Sequence, residues 1–258
     1  MTNAATGCAI AVMAKAPRAG QVKTRLTPFL RPDEAAQMSA AFLRDITENI
    51  VLAAQRAAIL PWVAYAPAGC EDLFSGMLAP GTRLVLADGA IAASLGVEGF
   101  GRCLLHAVSA LLGSGADSVC LLNADSPTLP TGVLVQAAQA LATPGDRVVL
   151  GPAEDGGYYL IGMSQPHAGL FADIDWSTDR VAAQTRERAA GLGLEVVELA
   201  PWFDVDDAAS LRRLVAPQPG ALTPYAAPST TALIAALGLG QRFELPPAPA
   251  GVAAATST

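Results

Sequence analysis

The chain has 258 residues, enough for one large α/β domain, or for a domain and a tail, with a sizeable core. Hydrophobic residues make up 52% and charged residues only 15%, a balance that excludes disorder of the main body. The formal net charge of −7 argues against general affinity for nucleic acid or anionic lipid, although a local basic cluster can still hold a small polyanion.

Apolar runs with strand character fall at residues 9–14, 62–66, 83–87, 119–124, 148–151, 158–162 and 195–199. Helical patterns lie between most of them. Residues 32–55 open with Pro and Asp, as a helix start prefers, and 101–112 stop at Gly113. Residues 131–141 stop before Thr-Pro-Gly, 177–190 stop at Gly191, and a last helix is expected at 207–215. Strands this apolar, alternating with helices, predict a mainly parallel sheet covered on both faces. Ligands of such sheets bind beyond the carboxyl ends of the strands, where the chain order reverses. The α/β domain is therefore expected to span 1–215. Residues 216–258 turn to Pro, Ala, Ser and Thr and read as a partly ordered tail. One short helix is expected in that tail at 230–237, and an oligomer contact through 233–239, hence a homodimer, stays open.

Four cysteines (Cys8, Cys70, Cys103, Cys120) form no CxxC pair and read as buried reduced thiols. The early run CAIAVMA has no Lys or Arg before it, is too short to span a membrane, and reads as the first strand. With no other membrane-length segment, a cytoplasmic location and no membrane partner are expected.

Five segments carry polar residues where chemistry is expected. In MAKAPRAGQVKTRL, after the first strand, Lys15, Arg18, Lys23 and Arg25 share a loop with Pro17 and Gly20. So much positive charge repels itself unless an anion fills it; Gly20 permits close backbone approach, and Arg and Lys divide the work of holding phosphates. A solvated surface turn is the alternative, and the Walker spacing is absent. In LLNADSPTLP, Asp125 and Ser126 follow an apolar strand directly, a position suited to Mg²⁺ or equally to a turn or cap. In FDVDDAASL, Asp204, Asp206 and Asp207 repel one another and invite a cation, while a helix cap accounts for at least one. VVLGPAEDGGYYLIG reads as a hairpin turn, or as a crevice wall built from Asp155, Gly156, Gly157 and Tyr158. DIDWSTDRV offers Ser177 or Thr178 as a helix cap, or Trp176 and Asp179 as acceptor contacts. His106 and His167 sit in no nucleophile setting, and neither a GxSxG elbow nor a dinucleotide fingerprint occurs.

In that order, KAPRAGQVKTRL, NADSPTLP, GPAEDGGYYLIG, WSTDRV and DVDDAASL resemble the DUF2064 family, the "transferase 1" proteins associated with radical-SAM and selenium-domain genes. The resemblance spans about residues 9–215. It implies a Rossmann-like GT-A (nucleotide-diphospho-sugar transferase) fold, a glycosyltransferase label and a link to arsenosugar pathways. On that analogy Lys23 and Arg25 hold donor phosphates with the loop from Ala14 through Lys15, Arg18 and Gly20. Asp125 and Asp206 hold Mg²⁺ or Mn²⁺. The chain departs from the family around Arg102, where it reads GVEGFGR, and at Ser210, which replaces an acid in a helix-capping position.

A nucleoside triphosphate or a nucleotide-sugar would serve as donor, with a small molecule as acceptor. The rich basic loop and the single acid of NAD, in place of DxD, favour nucleotidyl transfer to a phosphate- or phosphonate-bearing acceptor. The loop also resembles that of the phospholactate guanylyltransferases. Glycosyl transfer, or nucleotide binding without turnover, are the alternatives.

Overall fold

A computed structural model describes residues 6–27, 29–215 and 222–244. Its seven strands are β1 (Cys8–Lys15), β2 (Ile59–Ala66), β3 (Arg83–Leu86), β4 (Ser118–Leu122), β5 (Arg147–Pro152), β6 (Tyr158–Met163) and β7 (Glu195–Glu198). They form one sheet in the order β3-β2-β1-β4-β6-β5-β7. All pairings are parallel except those of β6, which runs antiparallel to both β4 and β5. This is the Rossmann-like GT-A architecture, and each expected strand is present within a few residues of its predicted bounds. The order reverses at β1 and β4: the chain steps outward from β1 to β3, then returns to β4 on β1's other side. The carboxyl ends of these two neighbours therefore open the crevice in which parallel sheets hold ligands.

Strand alternation assigns successive side chains of β1 to opposite cores. Ile10 and Val12 pack with Phe42, Ile46 and Ile50 of α1 (Pro32–Ala54) and Leu134 of α3 (Thr131–Ala142). Ala9 and Ala11 face Leu104, Val108 and Leu111 of α2 (Phe100–Gly113) and Ala182 and Ala189 of α4 (Val181–Gly191). Burial on both faces explains why these strands read as continuous apolar runs. At the start of α1, the Arg31 N–H donates to the Glu34 carboxylate at 2.8 Å, and Pro32 occupies the first helical position.

The helix expected at 177–190 begins only at Val181. Ser177 lies at φ +66°, outside helical geometry, and the Thr178 hydroxyl turns back to the Asp175 carbonyl at 2.8 Å, so neither caps the helix. All four cysteines are free; Cys8, Cys70 and Cys120 are buried, whereas Cys103 is half-buried. No helix among the described residues is long and apolar enough to cross a membrane.

After α5 (Ala208–Val215), residues 222–244 contain α6 (Pro228–Ala236), near the predicted short helix, and a further α7 (Leu239–Glu244). The closing stretch 245–258 lies outside the described residues. Asp45 of α1, fully buried, accepts the Ser229 and Thr230 N–H groups at 2.9 and 2.7 Å, so one carboxylate caps α6. Arg242 donates to Glu34 at 3.2 Å, and Phe243 stacks on Phe29 at 4.4 Å. Leu233, Ile234 and Leu237 pack against the core on the α1 side of the sheet, and Leu239 is fully buried within it. These contacts account for the apolar character of 233–239 within a single chain.

Asp45→Ala leaves two buried N–H groups without an acceptor and should cost roughly 1–3 kcal/mol. Urea titration would measure the loss. Hydrogen exchange should show amides 228–236 opening ahead of α1; unchanged exchange there would mean that Asp45 does not hold α6.

Candidate active site

The loop leaving β1 and the turn leaving β4 meet beneath the segment 203–206. Two backbone contacts set the register: Val205 N–H donates to the Asp125 carbonyl at 2.8 Å, and the buried Ser126 hydroxyl donates to the Phe203 carbonyl at 3.1 Å. Asp125 and Asp206 are thereby brought face to face. Between them lies the Lys23 ammonium, 2.7 Å from Asp125 Oδ1, 3.0 Å from Asp206 Oδ1 and 2.6 Å from the Val205 carbonyl. Three oxygens around a group with three N–H donors leave none to spare. The Lys23 side chain is only 6% exposed, against 32% for Asp125. Its backbone sits in the left-handed region, at φ +49° and ψ +38°, which disfavours a residue with a Cβ by about 1–2 kcal/mol. The ion pairs and the carbonyl contact hold it there.

The electrostatics follow from the crowding of acids. Burial works against the charged form of Lys23, but Asp125 and Asp206 outweigh it, and its pKa lies above the usual lysine value. Burial, with Asp206 adding to it, pushes the Asp125 carboxyl above the ordinary range despite Lys23. Asp204 is pushed up to about 6, by burial first and then by Asp155, Asp206 and Asp125. Arg25, largely exposed, approaches Asp206 Oδ2 at 3.6 Å. Asp207 points elsewhere: its carboxylate accepts the Ser210 N–H at 2.8 Å and caps α5, while the Ser210 hydroxyl accepts the Asp206 and Asp207 N–H groups, both at 3.0 Å.

A cleft of about 700 Å³ runs across this centre. Toward β2 and β3 it is lined by Met13, Ala14, Lys15, Ala64, Ala66 and Ala87, with Cys103 of α2. At its other end stand Asp155, Gly157, Tyr158, Trp176 and Asp179, with Asp204 nearer the centre. The stretch around Asp155 is both a hairpin connection and a cleft wall. Gly156 makes the close approach: it has φ +89°, and a Cβ there would fall 2.1 Å from the Asp179 carbonyl oxygen. Ala182 N–H donates to the Gly156 carbonyl at 3.0 Å, so the hairpin and the loop before α4 are joined.

Four expected site residues lie elsewhere than proposed, Gly156 among them, because it packs against the Asp179 carbonyl and does not line the cleft. Ser126 is buried and engaged with Phe203, so its hydroxyl braces the loop and does not face an acceptor. Arg18 and Gly20 are exposed in the turn and form no part of the cleft wall. Conversely, Phe100, Cys103, Ala64, Ala66 and Ala87 line the cleft without a sequence signal of their own. The alanines share one available clue, since each lies at or near the carboxyl end of its strand. Arg102, in the segment where the chain departs from its family, donates to the Gly89 and Ile91 carbonyls and fixes the loop after β3.

Among the described residues no group of three or more Asp, Glu, His or Cys side chains is placed to hold a metal ion. The pair Asp125 and Asp206 remains, and a cation, the Lys23 ammonium, already lies between them. Two hard carboxylate oxygens fit Mg²⁺ or Mn²⁺, ions that take one or two protein carboxylates and complete their shell with phosphate oxygens and water.

Fold and cleft together define a GT-A domain, with its open end at the β1/β4 switch point. The chain belongs to the DUF2064 family of uncharacterized proteins conserved in bacteria, whose model matches residues 49–178. It is 28% identical to a crystal structure from Desulfovibrio desulfuricans G20 provisionally named a nucleotide-diphospho-sugar transferase, with a TM-score of 0.70, covering 89% of this chain and 97% of that one. It is 15% identical to CMP:2-keto-3-deoxy-manno-octonic acid synthetase complexed with CTP, over 81% of this chain and 96% of the other, with a TM-score of 0.49. Rv0371c of Mycobacterium tuberculosis H37Rv is 18% identical over 82% of this chain and 98% of its own, with a TM-score of 0.48. No curated protein matches the chain.

Lys23→Met removes the charge that separates Asp125 from Asp206 and should lower stability by about 1–3 kcal/mol in chelator-treated protein. Added Mn²⁺ should then raise the melting temperature of the variant more than that of the native chain. An equal rise in both would mean that the carboxylate pair is not where the ion acts.

Proposed function

We propose that this protein is a divalent-metal-assisted transferase that takes a nucleotide donor and passes part of it to a small-molecule acceptor. The observation that carries this reading is the Lys23 ammonium held between Asp125 and Asp206 beside a loop of further cations. A carboxylate pair that already holds one cation is ready for another. Donor phosphates would then span from that pair to Lys15 and Arg25, which are exposed and line the cleft. The similarity at 28% identity to a provisionally named nucleotide-diphospho-sugar transferase supports the same reading.

In this scheme Asp125 and Asp206 would hold Mg²⁺ or Mn²⁺, which neutralises phosphate charge and stabilises the departing oxyanion. Lys23 must then let go of at least one carboxylate, and its freed N–H groups would turn to a phosphate oxygen. Arg25 supplies a planar fork to the leaving phosphates, and Lys15 a point charge near the end of β1. The cleft orients the acceptor against the donor, where proximity supplies much of the rate.

Two transfers share this frame. Two exposed cations of the cleft, Lys15 and Arg25, with Lys23 beside them, favour nucleotidyl transfer, because departing pyrophosphate carries more charge than a nucleoside diphosphate bound through its base. The name given to the Desulfovibrio structure favours glycosyl transfer, in which an acceptor oxygen attacks the anomeric carbon and the nucleoside diphosphate leaves.

Incubation with each nucleoside triphosphate or nucleotide-sugar, Mg²⁺ or Mn²⁺ and a panel of acceptors separates the two: pyrophosphate marks the first and nucleoside diphosphate the second. Asp125→Ala should lower turnover by roughly 10²–10³-fold, and Arg25→Ala by a smaller factor seen mainly in donor binding. Full activity in Asp125→Ala would overturn the assignment.

A further inference from the structure

The charges lining the cleft are sorted by sign along its length. Its cations are Lys15 at the end of β1 and Lys23 and Arg25 of the loop that follows, and Lys23 is already engaged. Toward the hairpin and the loop before α4 the lining turns acidic, with Asp155, Asp179 and Asp204, and no lining cation stands among them. Arg180 is near in sequence but pairs with Asp175 at 2.9 Å and is not part of the wall. Arg213 is held by Glu154 at 2.6 Å and is not part of the wall either.

The same end carries an aromatic wall. Trp176 meets Phe100 edge to face, with ring centroids 5.5 Å apart at 86°. This geometry is built in. A Cβ on Gly101 would fall 3.0 Å from the Phe171 carbonyl oxygen and 3.1 Å from the Trp176 ring, so glycine lets the indole lie close against α2. The loop that carries it is pinned by an antiparallel bridge between Val97 and Ala172 and by the Asp173 N–H on the Gly96 carbonyl at 2.8 Å. Phe100 remains 47% exposed and lines the cleft. Tyr158 also lines the cleft, and its hydroxyl is shut away from solvent with no hydrogen-bond partner among the described residues.

We propose that the acceptor end of the cleft takes an uncharged or cationic ring bearing hydroxyl or amino groups, a pyranose-like molecule without phosphate, stacked on the Trp176–Phe100 wall with its polar edge toward Asp155 and Asp179. Indole faces attract the weakly positive C–H face of such rings and attract cations more strongly. Carboxylates are acceptor-only groups that suit hydroxyl and ammonium donors. A phosphate there would meet three carboxylates and no unpaired cation, and like charges across an interface are rejected strongly. The proposal rests on the donor reading above, which puts the phosphates at the opposite, cationic end. It replaces the phosphate-bearing acceptor expected from the sequence.

The test measures donor and acceptor separately. Thermal shift with UDP, GDP, CDP and ADP plus Mn²⁺ examines the donor end alone; if none binds, that reading fails while the acceptor arm can still be run. Titrations of methyl glucopyranoside, glucosamine and glucose 6-phosphate, with and without the best nucleoside diphosphate, then follow tryptophan fluorescence and heat. Saturable binding of one of the first two is expected, at least tenfold tighter than glucose 6-phosphate. Trp176→Ala should weaken it at least tenfold with nucleotide binding unchanged. Asp179→Lys, at an exposed position, should improve glucose 6-phosphate binding at least fivefold, which keeps the proposal testable if the tryptophan variant folds poorly. Glucose 6-phosphate binding as tightly as the other two, no binding by any of the three, or indifference to both substitutions would overturn it.

Discussion

One ammonium ion sits where three separate pieces of the chain converge. Lys23 reaches the end of β4 through Asp125 and the segment before α5 through Asp206 and the Val205 carbonyl, across sequence separations of more than a hundred residues. Without it two carboxylates would face each other in a partly buried crevice, which the low local dielectric makes costly. With it they are held face to face, each within 3.0 Å of the same ammonium group. The left-handed backbone at Lys23 belongs to the same compromise: the chain accepts local strain to put the ammonium on the carboxylates.

Rigid scaffolding around this centre explains why loops can carry the site. β1 and β4 are adjacent, parallel and buried on both faces, so their carboxyl ends cannot drift apart. The hairpin of β5 and β6 is locked to the loop before α4 by Gly156, and the loop after β3 is fastened by Arg102. The floor toward β2 and β3 consists of small side chains, leaving room for a flat group. The opposite end is aromatic and acidic. A molecule with an anionic part and a ring-shaped or cationic part would match both ends at once, which is the complementarity a two-substrate transferase requires.

The C-terminal residues 222–244 add a different lesson in physical chemistry. Their composition is poor in the features that announce a packed element, yet a single buried carboxylate on α1 caps α6, and one arginine and one aromatic stack fix α7. A buried acid satisfied by two backbone N–H groups can anchor a helix that its own sequence only weakly supports.

How much of this was legible in the sequence depends on the range of the interactions. Strand and helix order follow from short-range periodicity, because burial on both faces makes a parallel strand uniformly apolar wherever it lies. The close backbone approach at Gly156 and the position of Asp125 just past a strand end follow from motif position alone. The partners of those residues do not. That Lys23 would be saturated by two carboxylates, that Ser126 would brace Phe203, and that Phe100 would stand beside Trp176 are contacts between distant segments, decided only when the sheet order brings them together. Local sequence determined which elements form and which loops bear charge; the tertiary fold decided which charges meet. A charge has no pattern of its own in the sequence, and its partner is set by geometry.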